Sequence, residues 1–197
     1  MAEDPARDSA CYRLAKRLLD LGLSCIGLVL LAPVFAAIGS AIRLDSRGPA
    51  MFQQQRVGRH GMAFKVYKFR TMTVESPTFG VKPDSFDDDR ITRLGGFLRR
   101  TSLDELPQLL NVVRGEMSLV GPRPEQPFLV ERYAPWQRER LSVLPGITGW
   151  WQVNGRKQPM HDHTEEDLYY VRRRSLLLDL RILLMTVRSV FRAEGAV

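Results

Sequence analysis

Hydrophobic positions are distributed along this chain in three distinct ways. The first is continuous: Leu21 to Ile42 runs for 22 residues without a charge, ~33 Å at helical rise and long enough to cross a bilayer core. Its apolar positions cover the whole helical circumference, which predicts membrane embedding rather than a core helix of a small domain. The second is alternating: MFQQQRV and AFKVYKF flank Gly58-Arg59-His60-Gly61, predicting a β-hairpin in which Lys68 and Arg70 share a strand parity and point the same way. The third is helical. Leu103, Leu106, Leu109, Leu110 and Val113 fall on one face of a helix expected within 90–115 and stopped by Gly115. A terminal helix from about Leu168 to Arg192 sets Arg181, Arg188 and Arg192 near one side and leucines on the other, as an interfacial amphipathic helix does.

Pro33 interrupts the apolar run, where it removes a backbone donor and clashes with the preceding turn. Both flanks are basic, with Arg13, Lys16 and Arg17 before the run and Arg43 and Arg47 after it. The positive-inside rule sets both ends on the cytoplasmic side. A re-entrant helix that breaks at Pro33 and leaves by the face it entered satisfies both observations. The expected organisation is therefore a flexible N-terminus (1–12), a re-entrant membrane helix (13–43) and a catalytic domain (44–197). The fold class is mostly α (α+β), with a small β-hairpin and amphipathic interfacial helices. The connecting stretches around Pro77, Gly80 and Pro83 and from Leu144 to Arg156 are turn-rich.

Composition refines this picture. In 197 residues the chain carries 29 Lys and Arg against 22 Asp and Glu, a net charge of +7, with 44% hydrophobic residues. That balance excludes an acidic disordered chain, a polytopic membrane protein and a disulfide-stapled secreted module. It points to anionic partners. Because the basic residues cluster beside apolar helices, those partners are anionic membrane lipids and phosphate ligands, and no nucleic acid is expected. Cys11 and Cys25 match no metal-ligand spacing. His161-Asp162-His163 with Glu165 and Glu166 reads as an exposed polar loop rather than a zinc site, and Asp87-Asp88-Asp89 as a solvated loop.

Two segments bear chemistry. In Thr101-Ser102-Leu103-Asp104-Glu105-Leu106, Ser102 and Glu105 have the spacing of a capping box, and Asp104 suits a first helical turn. The same adjacent carboxylates also suit phosphoryl chemistry: one attacks phosphorus while the other holds Mg²⁺, with Arg99 and Arg100 upstream to neutralise a diphosphate. Both readings stay open on residues alone. Arg123, held in Gly121-Pro122-Arg123-Pro124, suits a planar phosphate clamp or a core ion pair.

Several long motifs in order carry a resemblance. They are KRLLD before the apolar run, FKVYKFRTM at 64–72, SLDELPQLLNV at 102–112, GEMSLVGPRP at 115–124, PGITGWWQVNGR at 145–156, and DLYYV followed by SLLLDL at 167–180. On these the chain resembles the bacterial sugar transferases, small monotopic polyprenyl-phosphate phosphoglycosyl transferases of glycan assembly. The resemblance implies Mg²⁺ dependence, a seat on the cytoplasmic face of the bacterial inner membrane, and a ping-pong reaction. In it, Asp104 attacks the β-phosphate of a UDP-sugar, releases UMP and passes the sugar phosphate to polyprenyl phosphate, such as undecaprenyl phosphate. Glu105 matches the metal-binding member of the dyad, and Lys68, Arg70, Arg99 and Arg123 match basic positions around the phosphates. Gln152, Asn154 and Arg156 fall in a motif near the nucleotide or sugar. A homodimer is left open.

The chain departs from the family pattern at Ala32-Pro33, where Ser-Pro is usual, and at Trp151, where many relatives have a small residue. Trp150 and Trp151 read as core or membrane-interface residues, with a narrowed sugar pocket as the other reading for Trp151. Two other function classes remain: a membrane-associated lipid phosphatase or diphosphatase with water as acceptor, and a non-catalytic membrane-binding module in which Asp104-Glu105 is only a cap.

Overall fold

The computed structural model describes residues 9–76, 88–154 and 164–192. Helix α1 (Ala10–Leu30) starts where the Ser9 hydroxyl accepts the Tyr12 N–H, and helix α2 (Ala32–Asp45) follows after a break at Leu31. The two axes are bent by 60°. Pro33 sits in the first turn of α2, where its missing N–H costs nothing. No side chain caps α2, so the Ala32 departure leaves that end held by backbone bonds alone. No single helix among the described residues is long and apolar enough to cross a membrane, but the bent pair passes that test together.

The apolar run does not present a uniform circumference, contrary to expectation. Asp20 and Ser24 are buried, and Gly27 lies against Leu109. With Arg17 they form a stripe at i, i+3, i+7 and i+10 that faces the rest of the protein. Polar groups do the docking. Lys16 pairs with Asp179 at 2.8 Å, Arg17 donates to the carbonyls of Val112 and Val113 at 2.6 and 2.9 Å, and Asp20 accepts the Leu119 N–H at 3.1 Å. The opposite side bares Leu14, Leu18, Leu23, Ile26, Val29 and Leu30.

Strands β1 (Met51–Val57) and β2 (Ala63–Phe69) form the expected antiparallel hairpin, with Met51 opposite Phe69 and Val57 opposite Ala63. The turn closes with His60 and Gly61 at positive φ. A second sheet was not foreseen: β3 (Ser118–Val120) pairs in parallel with β4 (Gly146–Thr148). Glycines make that pairing possible, since a Cβ on Gly146 would lie 2.1 Å from the Gly121 nitrogen.

The single helix expected within 90–115 is three pieces. Helix α3 (Arg93–Arg100) ends at Thr101, a 3-10 helix spans Leu103–Gln108, and α4 (Leu109–Arg114) stops at Gly115 in the left-handed conformation. The break lies at Ser102, whose φ of 57° turns the chain. Pro107 also disfavours α-helical geometry for the residue before it. Four cores surround this region. One joins Ile42, Phe69 and Leu98, tying the end of α2 to the hairpin and α3. A second holds Val66, Val112 and Met117. A third, around Val57, Val130 and Tyr133, sits under helix α5 (Pro127–Val130).

The fourth core, Val120, Tyr170 and Ile182, gathers helices α6 (Trp150–Asn154), α7 (Thr164–Arg173) and α8 (Leu176–Arg192). The terminal helix is therefore two helices. Its expected division also fails. Ile182 is buried, whereas Leu177, Leu180, Leu184 and Val187 are exposed on the side that carries Arg181 and Arg188. That face is apolar with arginines along it, and long Arg stems allow the charged heads to leave an apolar surface. Trp151 is buried in the core, while Trp150 stacks on Tyr169 at 4.7 Å beneath the Arg181 guanidinium.

Candidate active site

Asn111 fixes the carboxylates relative to the hairpin. Fully buried, it donates to the Lys65 carbonyl at 2.7 Å and accepts the Tyr67 N–H at 3.1 Å, so α4 is hydrogen-bonded to β2 like an added strand residue. The 3-10 helix just before α4 is thereby held over Lys68. Glu105 Oε1 accepts Lys68 Nζ at 2.7 Å and Arg123 Nη2 at 2.9 Å. Asp104 is buried beside it and makes no ion pair or side-chain hydrogen bond among the described residues. Burial pushes Asp104 up to about 6; Lys68 opposes this, Glu105 adds to it, and Arg99 and Arg123 oppose it further. Burial works against Glu105 as well, but Arg123 and Lys68 outweigh it and hold that carboxyl well below the usual range.

The capping box does not form. Ser102 makes no side-chain cap bond, and its carbonyl takes the Glu105 N–H at 3.2 Å. A left-handed serine costs about 1–2 kcal/mol, and such strain concentrates at functional sites.

The predicted basic residues separate. Lys68 and Arg123 meet on Glu105, and Arg99, anchored to the Thr71 hydroxyl at 3.2 Å, acts electrostatically on Asp104. Arg70 does not join them. It lies one residue past β2, where its guanidinium turns to the end of α2 and donates to the Ser46 carbonyl and hydroxyl at 2.7 and 2.9 Å. Gln152 is buried and donates to the Ile147 carbonyl, and Asn154 folds back on the Trp150 carbonyl; no hydrogen bond links either to the dyad. Arg156, His161 and His163 lie outside the described residues, as does Asp87. Asp88 pairs with Arg90.

Arg56 and Glu125 were missed. Arg56 lines a narrow cleft with Val66, Lys68, Gln108, Arg123 and Pro124. It is held by Gln54 Oε1 and by Glu125 at 3.3 Å, and burial draws its guanidinium down to about 10 against the pull of Glu125. The signal was present in the hairpin. With Phe52 opposite Lys68, period-two alternation sets Gln54 and Arg56 on the face that carries Lys68.

Among the described residues no cluster of three or more His, Cys, Asp or Glu could ligate a metal. A Mg²⁺ site built mainly by protein is therefore not formed there. Asp104 and Glu105 fit the other common arrangement, in which one or two carboxylates share the ion with substrate phosphates and water. Both carry hard oxygen donors, and Glu105 Oε1 alone takes its two cations.

A bent apolar helix pair docked on an α+β domain, with a carboxylate dyad set among guanidinium and ammonium groups, defines a site suited to phosphoryl groups. The chain belongs to the bacterial sugar transferase family, whose model matches residues 11–193. It is 41% identical to the galactosyl transferase CpsE of Streptococcus agalactiae serotype III, over 94% of this chain and 44% of that protein. It is 43% identical to the UDP-glucose:undecaprenyl-phosphate glucose-1-phosphate transferase of Escherichia coli K12, over 95% of this chain and 42% of that one. The chain thus spans less than half the length of these relatives. A shorter relative, described as an uncharacterized sugar transferase, EpsL of Bacillus subtilis, is 43% identical over 91% of this chain and 89% of its own.

Proposed function

We propose that this protein transfers a sugar 1-phosphate from a UDP-sugar to polyprenyl phosphate, through a covalent intermediate on Asp104. The observation that carries the reading is the inequality of the dyad: Glu105 is pinned between Lys68 and Arg123, while the adjacent Asp104 is buried and unpaired. An ionised carboxylate without a partner is a ready nucleophile. In the first half-reaction an Asp104 oxygen bonds to the β-phosphorus, the bond from that phosphorus to the bridging oxygen breaks, and UMP leaves with the electron pair. In the second, a phosphate oxygen of the polyprenyl acceptor attacks the same phosphorus and Asp104 departs as carboxylate. Lys68, Arg123 and Arg99 stabilise charge on the transferring phosphoryl oxygens.

Glu105, with Asp104 beside it, would hold Mg²⁺ shared with the diphosphate, and the ion when bound would withdraw charge from the phosphate oxygens. The bent helix pair, its basic flanks and the bared leucines of α1 and α8 support a re-entrant seat on the cytoplasmic face, with anionic lipids against the arginines. The test is UMP release from a panel of UDP-sugars, with and without polyprenyl phosphate. Asp104→Asn should release none, and appreciable release by that variant removes the nucleophile assignment. Continuous turnover without the lipid acceptor would identify a phosphatase instead.

A further inference from the structure

The segment that carries Arg123 is held in an unusual way. Four consecutive backbone carbonyls, from Pro122 to Glu125, are each taken by a donor from elsewhere in the chain. Pro122 accepts the Gly146 N–H at 2.9 Å, and Glu125 accepts the Val57 N–H at 2.9 Å. Between them, Pro124 accepts Arg56 Nη1 at 3.4 Å and Arg123 accepts Arg140 Nη2 at 2.7 Å. Pro122 and Pro124 have no N–H of their own, so this segment is anchored largely through its carbonyls.

Arg140 is the residue in this set whose role the phosphoryl site does not account for. It lies on the 3-10 helix Gln137–Ser142 and is 2% exposed. Its Nε donates to Asp167 Oδ2 at 2.9 Å, Nη2 shares that oxygen, and Nη1 donates to the Tyr133 hydroxyl. Asp167, on α7, is completely buried, and its Oδ1 has no partner among the described residues. A buried, fully desolvated Arg–Asp pair is a poor way to gain stability, because an apolar pair of similar volume serves as well or better. It is a good way to hold a planar group at a set angle. The group it holds is aimed at the backbone of the very residue whose side chain reaches Glu105.

We propose that Arg140, oriented by Asp167 and Tyr133, is a positioning residue that sets the Arg123 guanidinium against the dyad and hence against the diphosphate of the donor. Arg140 touches no reacting atom; it acts through the Arg123 carbonyl. The inference rests on the reading of Arg123 as a phosphate contact, but not on Asp104 being the nucleophile.

The test is a double-mutant cycle on the full chain in detergent or nanodiscs, with UDP binding by calorimetry and kcat/KM for UMP release as two readouts. Arg140→Lys keeps the charge and loses the planar fork. It should weaken both readouts about tenfold, the scale of one well-placed charged contact. In an Arg123→Ala background the same substitution should change neither, since there is no guanidinium left to place. Tyr133→Phe, which loosens Arg140 without removing it, should repeat the pattern at smaller amplitude, and thermal melts identify which variants are folded. Equal losses in both backgrounds would mean that Arg140 supports only the fold and would overturn the proposal. If Arg140→Lys does not fold, the Tyr133→Phe cycle decides on the same criterion. Coupling in UDP binding together with UMP release by Asp104→Asn would remove the nucleophile and leave the positioning role standing.

Discussion

Replacing Asp104 by Asn should abolish UMP release and, at the same time, make the protein more stable at neutral pH. Asp104 is 8% exposed, and its carboxyl is pushed up to about 6, against an ordinary value near 4, by burial and by the Glu105 carboxylate, less what Lys68, Arg99 and Arg123 return. A group whose folded pKa is raised opposes folding once it ionises. The penalty is absent below about pH 4, grows between pH 4 and 6, and is complete above that window. Two pKa units correspond to about 3 kcal/mol, an upper bound for the gain on removing the charge. The assay is urea unfolding of the detergent-solubilised protein at intervals between pH 4 and 8, wild type against Asp104→Asn. The two should agree near pH 4 and diverge as pH rises, the variant ending more stable. Parallel curves, or an Asn variant less stable at pH 8, would refute this account. With Asp104 as the nucleophile, the same ionisation should give UMP release an acid limb near pH 6.

Glu105→Gln should act in the opposite direction, because a carboxyl held low contributes stability above the ordinary carboxylate range and loses it as pH falls. Leaving Lys68 and Arg123 to face each other should cost about 3 kcal/mol at pH 7 in the same unfolding assay, along with the use of Mg²⁺ in UMP release. Arg17→Ala removes two charged hydrogen bonds at the end of α4 and should destabilise the protein by about 2 kcal/mol, read in the same assay. Gly95→Ala sets a Cβ 2.0 Å from the Thr71 carbonyl oxygen, so α3 must shift, and a loss of about 3 kcal/mol is expected in unfolding experiments.

The hairpin was legible because its turn residues and its two-residue period agree, and its register in turn exposes Arg56 as a neighbour of Lys68. The carboxylate dyad was legible as chemistry but not as geometry. An apolar spacing of three and four residues is satisfied by α3, the 3-10 helix and α4 taken together, and nothing in that spacing reports the positive φ at Ser102. Strand parity does not carry to Arg70, which lies one residue beyond the end of β2, where the chain leaves the sheet and the side chain finds the end of α2. The parallel pair β3 and β4, three residues each, is too short to leave a period. Arg140 and Asp167 lie 27 residues apart on separate elements, and only their packing brings them together.

The docking of α1 has a consequence for how this protein can vary. Arg17 addresses two backbone carbonyls and Asp20 a backbone N–H, so the receiving surface is recognised without regard to which side chains it bears. Of these anchoring contacts, only Lys16 with Asp179 joins two side chains. The outward leucines of the same helix take no part in these contacts, so on the proposed membrane seat they are free to drift with the surrounding lipids at no cost to the interface. Exchanging the exposed apolar residues of α1 for those of a relative adapted, on that proposal, to a thicker or thinner membrane should preserve the fold, provided Lys16, Arg17 and Asp20 keep their places.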